Sequence, residues 1–188
     1  MPDWLRADWP APDSIVAGTT LRPLVDFDFP AEPCWLNQVH GNRVVRVGSD
    51  DFAAGPPEAD ASIAADPESI CVVRTADCLP ILFCSRDGTQ IAAAHAGWRG
   101  LADGVAEATI AALGGSPDDL IAWFGPAISQ AAFEVGSEVR AAFVSQDAGA
   151  AVAFEPNARG RWQANLYELA RRRLRAAGVQ AIYGGGLC

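Results

Sequence analysis

Two histidines and one cysteine in this chain sit in surroundings that suit chemistry. His40 lies in Asn37-Gln38-Val39-His40-Gly41, and His95 lies in Ala94-His95-Ala96-Gly97-Trp98-Arg99-Gly100. Between them, Thr75-Ala76-Asp77-Cys78-Leu79-Pro80 sets a thiol just ahead of a proline. Two neutral imidazoles and a thiolate make a three-ligand set that suits zinc and leaves a fourth position for water or substrate. Zinc held this way keeps a net positive charge. That charge can lower the pKa of bound water to about 7 or polarise a substrate group.

Neighbouring side chains extend the candidate site. Asp77 adjoins the thiol and could orient a ligand or accept a proton, or it could cap a turn before Leu79-Pro80. Arg99 follows Trp98 in a strand-to-helix turn, where a guanidinium suits phosphate or another anion. The alternative for Arg99 is a surface ion pair. Asn37 and Gln38 precede His40 and join Arg99 as candidate substrate-binding groups. Cys71 and Cys84 fall inside apolar runs and read as small core residues. Cys34 and Cys188 carry no signal of their own.

The elements that must position these groups follow from periodicity and turn chemistry. Residues 1–33 read mostly as loop with short extended pieces, and Trp35 to Val47 as an extended segment around the first histidine. Residues 50–60 form a loop, Ile70 to Arg74 a short strand, and Ile81 to Cys84 another. Asp87-Gly88 then signals a hairpin turn, with a returning strand from Gln90 to Ala94. Cys78 precedes the first of these hairpin strands and His95 follows the second. Antiparallel pairing therefore brings the two side chains to one end of the sheet. Further on, a helix is expected from Leu101 to Leu113, stopped by Gly114-Gly115. A capped turn at 116–119 leads to a strand from Leu120 to Phe124. Ser137 caps a helix through Phe143, Asn165 caps a helix from Leu166 to Ala177, and a last strand runs from Val179 to Tyr183. This irregular alternation implies an α+β fold of mixed β-sheets layered with helices, forming one domain over residues 1–188.

Composition narrows the function classes. Half of the 188 residues are hydrophobic, which suffices for a sizeable core. A net charge of -9 argues against nucleic-acid binding, which needs a basic footprint. The basic run Arg171-Arg172-Arg173-Leu174-Arg175 is expected to be the solvated face of a late helix. No apolar stretch is long enough to span a bilayer, and the first residues lack the order of a signal peptide. Five cysteines without dense spacing argue against a disulfide framework. A cytoplasmic enzyme or binding domain with reduced thiols, and without a membrane partner, is the expectation.

These motifs resemble the YfiH family, also called the laccase-domain or polyphenol-oxidase-like family. The resemblance rests on Trp35-Leu36-Asn37-Gln38-Val39-His40-Gly41, Ala59-Asp60-Ala61, Thr75-Ala76-Asp77-Cys78-Leu79-Pro80-Ile81 and Ala94-His95-Ala96-Gly97-Trp98-Arg99-Gly100. Phe124-Gly125-Pro126-Ala127-Ile128 and Phe133-Glu134-Val135-Gly136 also fit. It implies metal ligation by His40, Cys78 and His95, the same three reached from ligand chemistry. The implied activity is zinc-dependent purine nucleoside chemistry: phosphorolysis of adenosine, inosine, guanosine or methylthioadenosine, and deamination of adenosine. An older reading of the family is copper-dependent oxidation of phenols, and a third role is editing of peptidoglycan precursors. The chain departs from the family pattern in three places. It lacks a longer stretch between Thr20 and Trp35, it stops at Cys188 before an Arg-rich tail, and it carries Ser129-Gln130-Ala131-Ala132 where many relatives have cysteine. A metal-free alternative makes Cys78 a nucleophile and His95 its base.

Overall fold

The computed structural model describes residues 4–21 and 29–188. Its organising element is a six-stranded mixed sheet. The strands are β4 (Val44–Arg46), β5 (Ala61–Ala64), β7 (Leu79–Ser85), β8 (Ile91–Ala96), β9 (Leu120–Phe124) and β13 (Ala181–Gly184), in the spatial order β13-β9-β7-β8-β5-β4. The outer pairs β13/β9 and β4/β5 are parallel, and the inner pairs are antiparallel. The mixed sheets and helices give an α+β fold, as expected from the irregular alternation of elements.

Side-chain alternation along these strands separates a packing face from a chemical face. Leu79, Ile81 and Phe83 of β7, Ala92, Ala94 and Ala96 of β8, and Ala61 and Ile63 of β5 all enter the main core. Helices α1 (Trp98–Ala102), α2 (Val105–Leu113) and α4 (Leu166–Ala176) supply Leu101, Val105, Ile110, Leu169 and Leu174 to that same core. Alanines along β8 let α2 approach the sheet closely. The intervening residues of each strand point the other way, so Pro80 and its register partner His95 share the opposite face.

Short ladders accompany the second face. β1 (Trp4–Arg6) pairs antiparallel with β2 (Gly18–Thr20), and β3 (Pro33–Cys34) pairs parallel with β6 (Ile70–Cys71). Trp4, Trp35 and Trp123 line a largely apolar cavity of about 330 Å³ between these ladders and the sheet. A separate three-stranded sheet, β10 (Glu134–Val135), β12 (Trp162–Ala164) and β11 (Phe154–Pro156), carries α3 (Ser137–Val144) beside it.

Several expectations need correction. The helix read from Leu101 to Leu113 begins at Trp98 and breaks after Ala102, because Gly104 adopts a left-handed φ of 91° between α1 and α2. Gly114 ends α2 with φ 72°, and the Asn165 side chain caps α4 by accepting from Glu168 N at 3.0 Å. Of the extended segment from Trp35 to Val47, only Val44–Arg46 is strand. His40 itself has φ 62°, a left-handed conformation unusual for a side-chain-bearing residue. The strand expected from Ile70 to Arg74 pairs only at Ile70–Cys71. The second hairpin strand runs through Ala96, so His95 lies within it rather than past it. The basic run is only in part a solvated face: Arg175 is exposed, but two of the run's arginines find acidic partners. Arg172 pairs with Asp147 at 2.7 Å, and Arg173 pairs with Glu107 at 3.0 Å while also donating to Ala102 O and Gln146 Oε1. Amphipathic spacing fixed this helix's apolar side, but long-range acidic partners decided where its arginines went. Much of the shortened stretch between Thr20 and Trp35 falls outside the described residues.

Candidate metal centre

One buried carboxylate organises the chemical face. Asp60 leads into β5 and is fully buried. One of its oxygens accepts from His40 N at 2.9 Å, and the other accepts from Val39 N at 3.1 Å and Gly41 N at 2.7 Å. Three consecutive backbone N–H groups thus converge on a single side chain, which holds the 39–41 turn and the left-handed backbone of His40. Asp60 also takes the Nδ1–H of His95 at 2.8 Å, while its own carbonyl accepts from His95 N at 2.7 Å.

That bond sets the chemistry of His95. A carboxylate accepts only, so Nδ1 carries the proton and Nε2 keeps its lone pair. Burial lowers the imidazole pKa below its ordinary value, against the opposing pull of Asp60, and favours the neutral ligand form.

His40, Cys78 and His95 bring one ligand atom each within 4.8 Å of one another. His40 Nε2 stands 3.9 Å from Cys78 Sγ, and the two imidazoles meet edge to face with centroids 4.7 Å apart. Zinc bonds of about 2.0–2.3 Å in tetrahedral geometry separate ligands by about 3.5 Å, so a closure of roughly an ångström completes the set. Burial raises the Cys78 thiol pKa, and the charges of Asp77 and Asp60 raise it further. A cation at the centre reverses that balance and favours thiolate. The donor set fits a metal ion of the zinc or copper type.

Close approach of the backbone completes the centre. A Cβ on Gly97 would stand 2.9 Å from Cys78 Sγ and 3.1 Å from His40 Cδ2, and one on Gly100 would stand 2.6 Å from Gly41 O. The glycines after His95 therefore let α1 sit against the His40 turn. Asn42 ties the same turn to the helix break by donating to Asp103 O at 2.7 Å.

The other expected site residues lie around this centre in differing roles. Asp77 is exposed beside Cys78, and its carbonyl accepts from Ile128 N at 2.9 Å. Arg99 is exposed on α1 with its guanidinium 4.7 Å over the Trp98 ring. Asn37 donates to Pro56 O at 2.7 Å. Gln38 donates to Arg74 O and accepts from Arg74 N, both at 2.7 Å. These amides hold the loop that presents His40. Asp60 was not among the expected site residues. Its signal was an acid placed between two alanines at the mouth of an apolar strand, where an unpartnered charge is costly.

Comparison with known proteins identifies a family for this chain. A family model described as multi-copper polyphenol oxidoreductase laccase matches residues 15–188. The chain is 47% identical to purine nucleoside phosphorylase PA4543 of Pseudomonas aeruginosa, covering 98% of this chain and 87% of that protein. It is 48% identical to purine nucleoside phosphorylase YfiH of Escherichia coli, across 86% of this chain and 65% of the relative. The PA4543 alignment runs over 215 positions against a chain of 188, so that relative carries residues this chain lacks. The crystal structure of NMB0706 from Neisseria meningitidis superposes with a TM-score of 0.90 at 41% identity, covering 99% of this chain and 88% of that one. YlmD of Geobacillus stearothermophilus gives 0.71 at 28%, covering 82% and 62%. A converged imidazole–thiol cluster on this sheet and a family match over nearly the whole length lead to one assignment: the chain belongs to the multi-copper polyphenol oxidoreductase laccase family, in which its relatives include YfiH.

Proposed function

We propose that this chain is a zinc-dependent purine nucleoside phosphorylase. Its substrates are adenosine, inosine, guanosine or methylthioadenosine together with phosphate, and it also deaminates adenosine to inosine. One observation carries the reading: three donor atoms of the zinc-preferring type converge within 4.8 Å, in a chain whose relatives are named purine nucleoside phosphorylase. His40, Cys78 and His95 would hold the zinc ion, which would supply Lewis-acid polarisation of a substrate group.

The chain's own groups account for the rest of the proposal. Asp60 fixes the His95 tautomer and the His40 turn, so the two imidazoles meet any ligand in a set orientation. Asp77, exposed beside Cys78, exchanges a proton at its carboxylate with the reacting group. Arg99 offers a guanidinium to the phosphate, a bidentate match in charge and shape. Asn37 and Gln38 shape the substrate side of the His40 loop through their backbone bonds. A cytoplasmic location belongs to the same proposal; among the described residues, no helix is long and apolar enough to cross a membrane.

Copper-dependent phenol oxidation is the reading carried by the family's description. One ligand cluster among the described residues, in a chain with two histidines, offers little for several copper ions. The metal-free hydrolase reading needs a Cys78 thiolate, whereas burial and two carboxylates favour its thiol. Metal analysis of the purified protein beside a nucleoside screen, with and without phosphate, tests the proposal. Stoichiometric zinc and phosphate-dependent release of free purine base are expected. Copper with oxygen-dependent phenol oxidation, or a metal-free protein inactivated by alkylation at Cys78, overturns it.

A further inference from the structure

The segments that bring His40 and Cys78 together run side by side. They begin at the parallel β3/β6 ladder, where Cys34 is the register partner of Cys71. Gln38 and Arg74 then exchange two hydrogen bonds, Arg74 also donates to Leu36 O at 3.2 Å, and its guanidinium stacks 5.4 Å over Trp35. His40 and Cys78 meet at the far end. We propose that Cys34 and Cys71 are a redox-convertible pair whose disulfide braces the two segments that carry these ligands.

Register supplies the geometry. Paired residues on neighbouring strands lie about 4.8 Å apart and point their side chains to one face. A disulfide needs Cα atoms about 4.4–6.8 Å apart. Both cysteines are free thiols, and Cys34 is the less buried of the two, so an oxidant can reach Cys34 while Cys71 stands behind it. Burial pushes Cys71 up to about 12, and burial with Glu32 raises Cys34. Such thiols attack slowly and make poor leaving groups, which suits a stable brace rather than a catalytic dithiol.

The oxidant is a low-molecular-weight disulfide such as oxidised glutathione. The Cys34 thiolate attacks one of its sulfurs, forming a mixed disulfide and expelling one small thiolate. Cys71 thiolate then attacks the Cys34 sulfur, forming the protein disulfide and expelling the second. The two protons lost by the protein thiols go to the two small thiols, and two electrons pass to the oxidant.

The inference is independent of the proposed activity, and its test needs no turnover. Purified metal-loaded protein is incubated with oxidised glutathione, alkylated and mapped by peptide mass spectrometry, and its Tm is compared with that of the dithiothreitol-reduced form. A Cys34–Cys71 cross-link and a Tm rise of about 5–10 °C are expected, with both absent in Cys34→Ser and restored to the reduced state by dithiothreitol. Full alkylation of Cys34 and Cys71 after oxidation, a cross-link through other cysteines, or a cross-link without a Tm rise overturns the proposal.

Discussion

The β7–β8 hairpin has an aspartate network at each end, and the two draw on different distances along the chain. At the turn, Asp87 Oδ1 accepts from Ser85 Oγ at 2.6 Å, Thr89 Oγ1 at 2.8 Å and Thr89 N at 3.0 Å. Every partner lies within two residues, and the carboxylate is exposed. At the end that carries His40, Cys78 and His95, Asp60 accepts from Val39, His40, Gly41 and His95, all far away in sequence, and is fully buried. Similar oxygen chemistry thus does unlike work. Water can replace lost partners at the turn, whereas at the buried end each lost partner leaves a desolvated donor.

The largest test of that contrast removes ligands. His95→Ala and Cys78→Ser each delete one of three donors, and the zinc dissociation constant should rise by more than about 100-fold, beyond what loss of a supporting partner costs. Chelator competition measures it. Retention of tight zinc binding by both variants would break the assignment of the centre.

Next comes Asp60. Asp60→Asn puts an amide NH₂ where donors already point, so it cannot accept from all four groups. Zinc affinity should fall by about 10–100-fold, and Asp60→Ala should destabilise the metal-free protein by about 3 kcal/mol in urea unfolding. An unchanged affinity in both variants would show that Asp60 does not orient the ligands.

The same contrast explains what could be read from the chain in one dimension. Asp87-Gly88 announces its turn because its partners are local, and the two flanking strands follow. Strand parity then places Cys78 and His95 at one end, and both histidines and the thiol stand out by residue type alone. Asp60 gives no comparable local signal, since its donors come from a distant turn and the neighbouring strand. The left-handed φ of His40 depends on those same donors. The ion pairs of Arg172 and Arg173 were likewise decided by partners beyond any helical window, whereas the helix break rests on the left-handed backbone of Gly104 itself. The fold class was legible because apolar periodicity is local; the support of the site was not.

A smaller effect is expected where backbones touch. Gly100→Ala places a Cβ 2.6 Å from Gly41 O, with no flexible side chain to yield. The α1 helix and the His40 turn must separate, at a cost of about 1–3 kcal/mol. Because Gly41 N also donates to Asp60, zinc affinity should fall along with stability. A stability loss with unchanged zinc affinity would mean that the turn moves without disturbing the ligands.

The smallest effect belongs to the exposed end of the hairpin. The Ser85 hydroxyl, with Thr89 N and Oγ1, holds the Asp87 carboxyl down at about 2. Ser85→Ala should move it up toward the ordinary carboxylate range, as read by carboxyl-carbon NMR titration. Because the folded-state value is lowered, any stability from this turn is present above the ordinary range and lost as pH falls toward 2. Exposure keeps that contribution small. Asp87→Asn should therefore leave zinc affinity unchanged, with a stability change no larger than ordinary surface substitutions give. A loss of zinc affinity in Asp87→Asn would mean that the two ends of the hairpin communicate through β7 and β8. The contrast between local and long-range aspartates would then fail as an account of why only one end is sensitive.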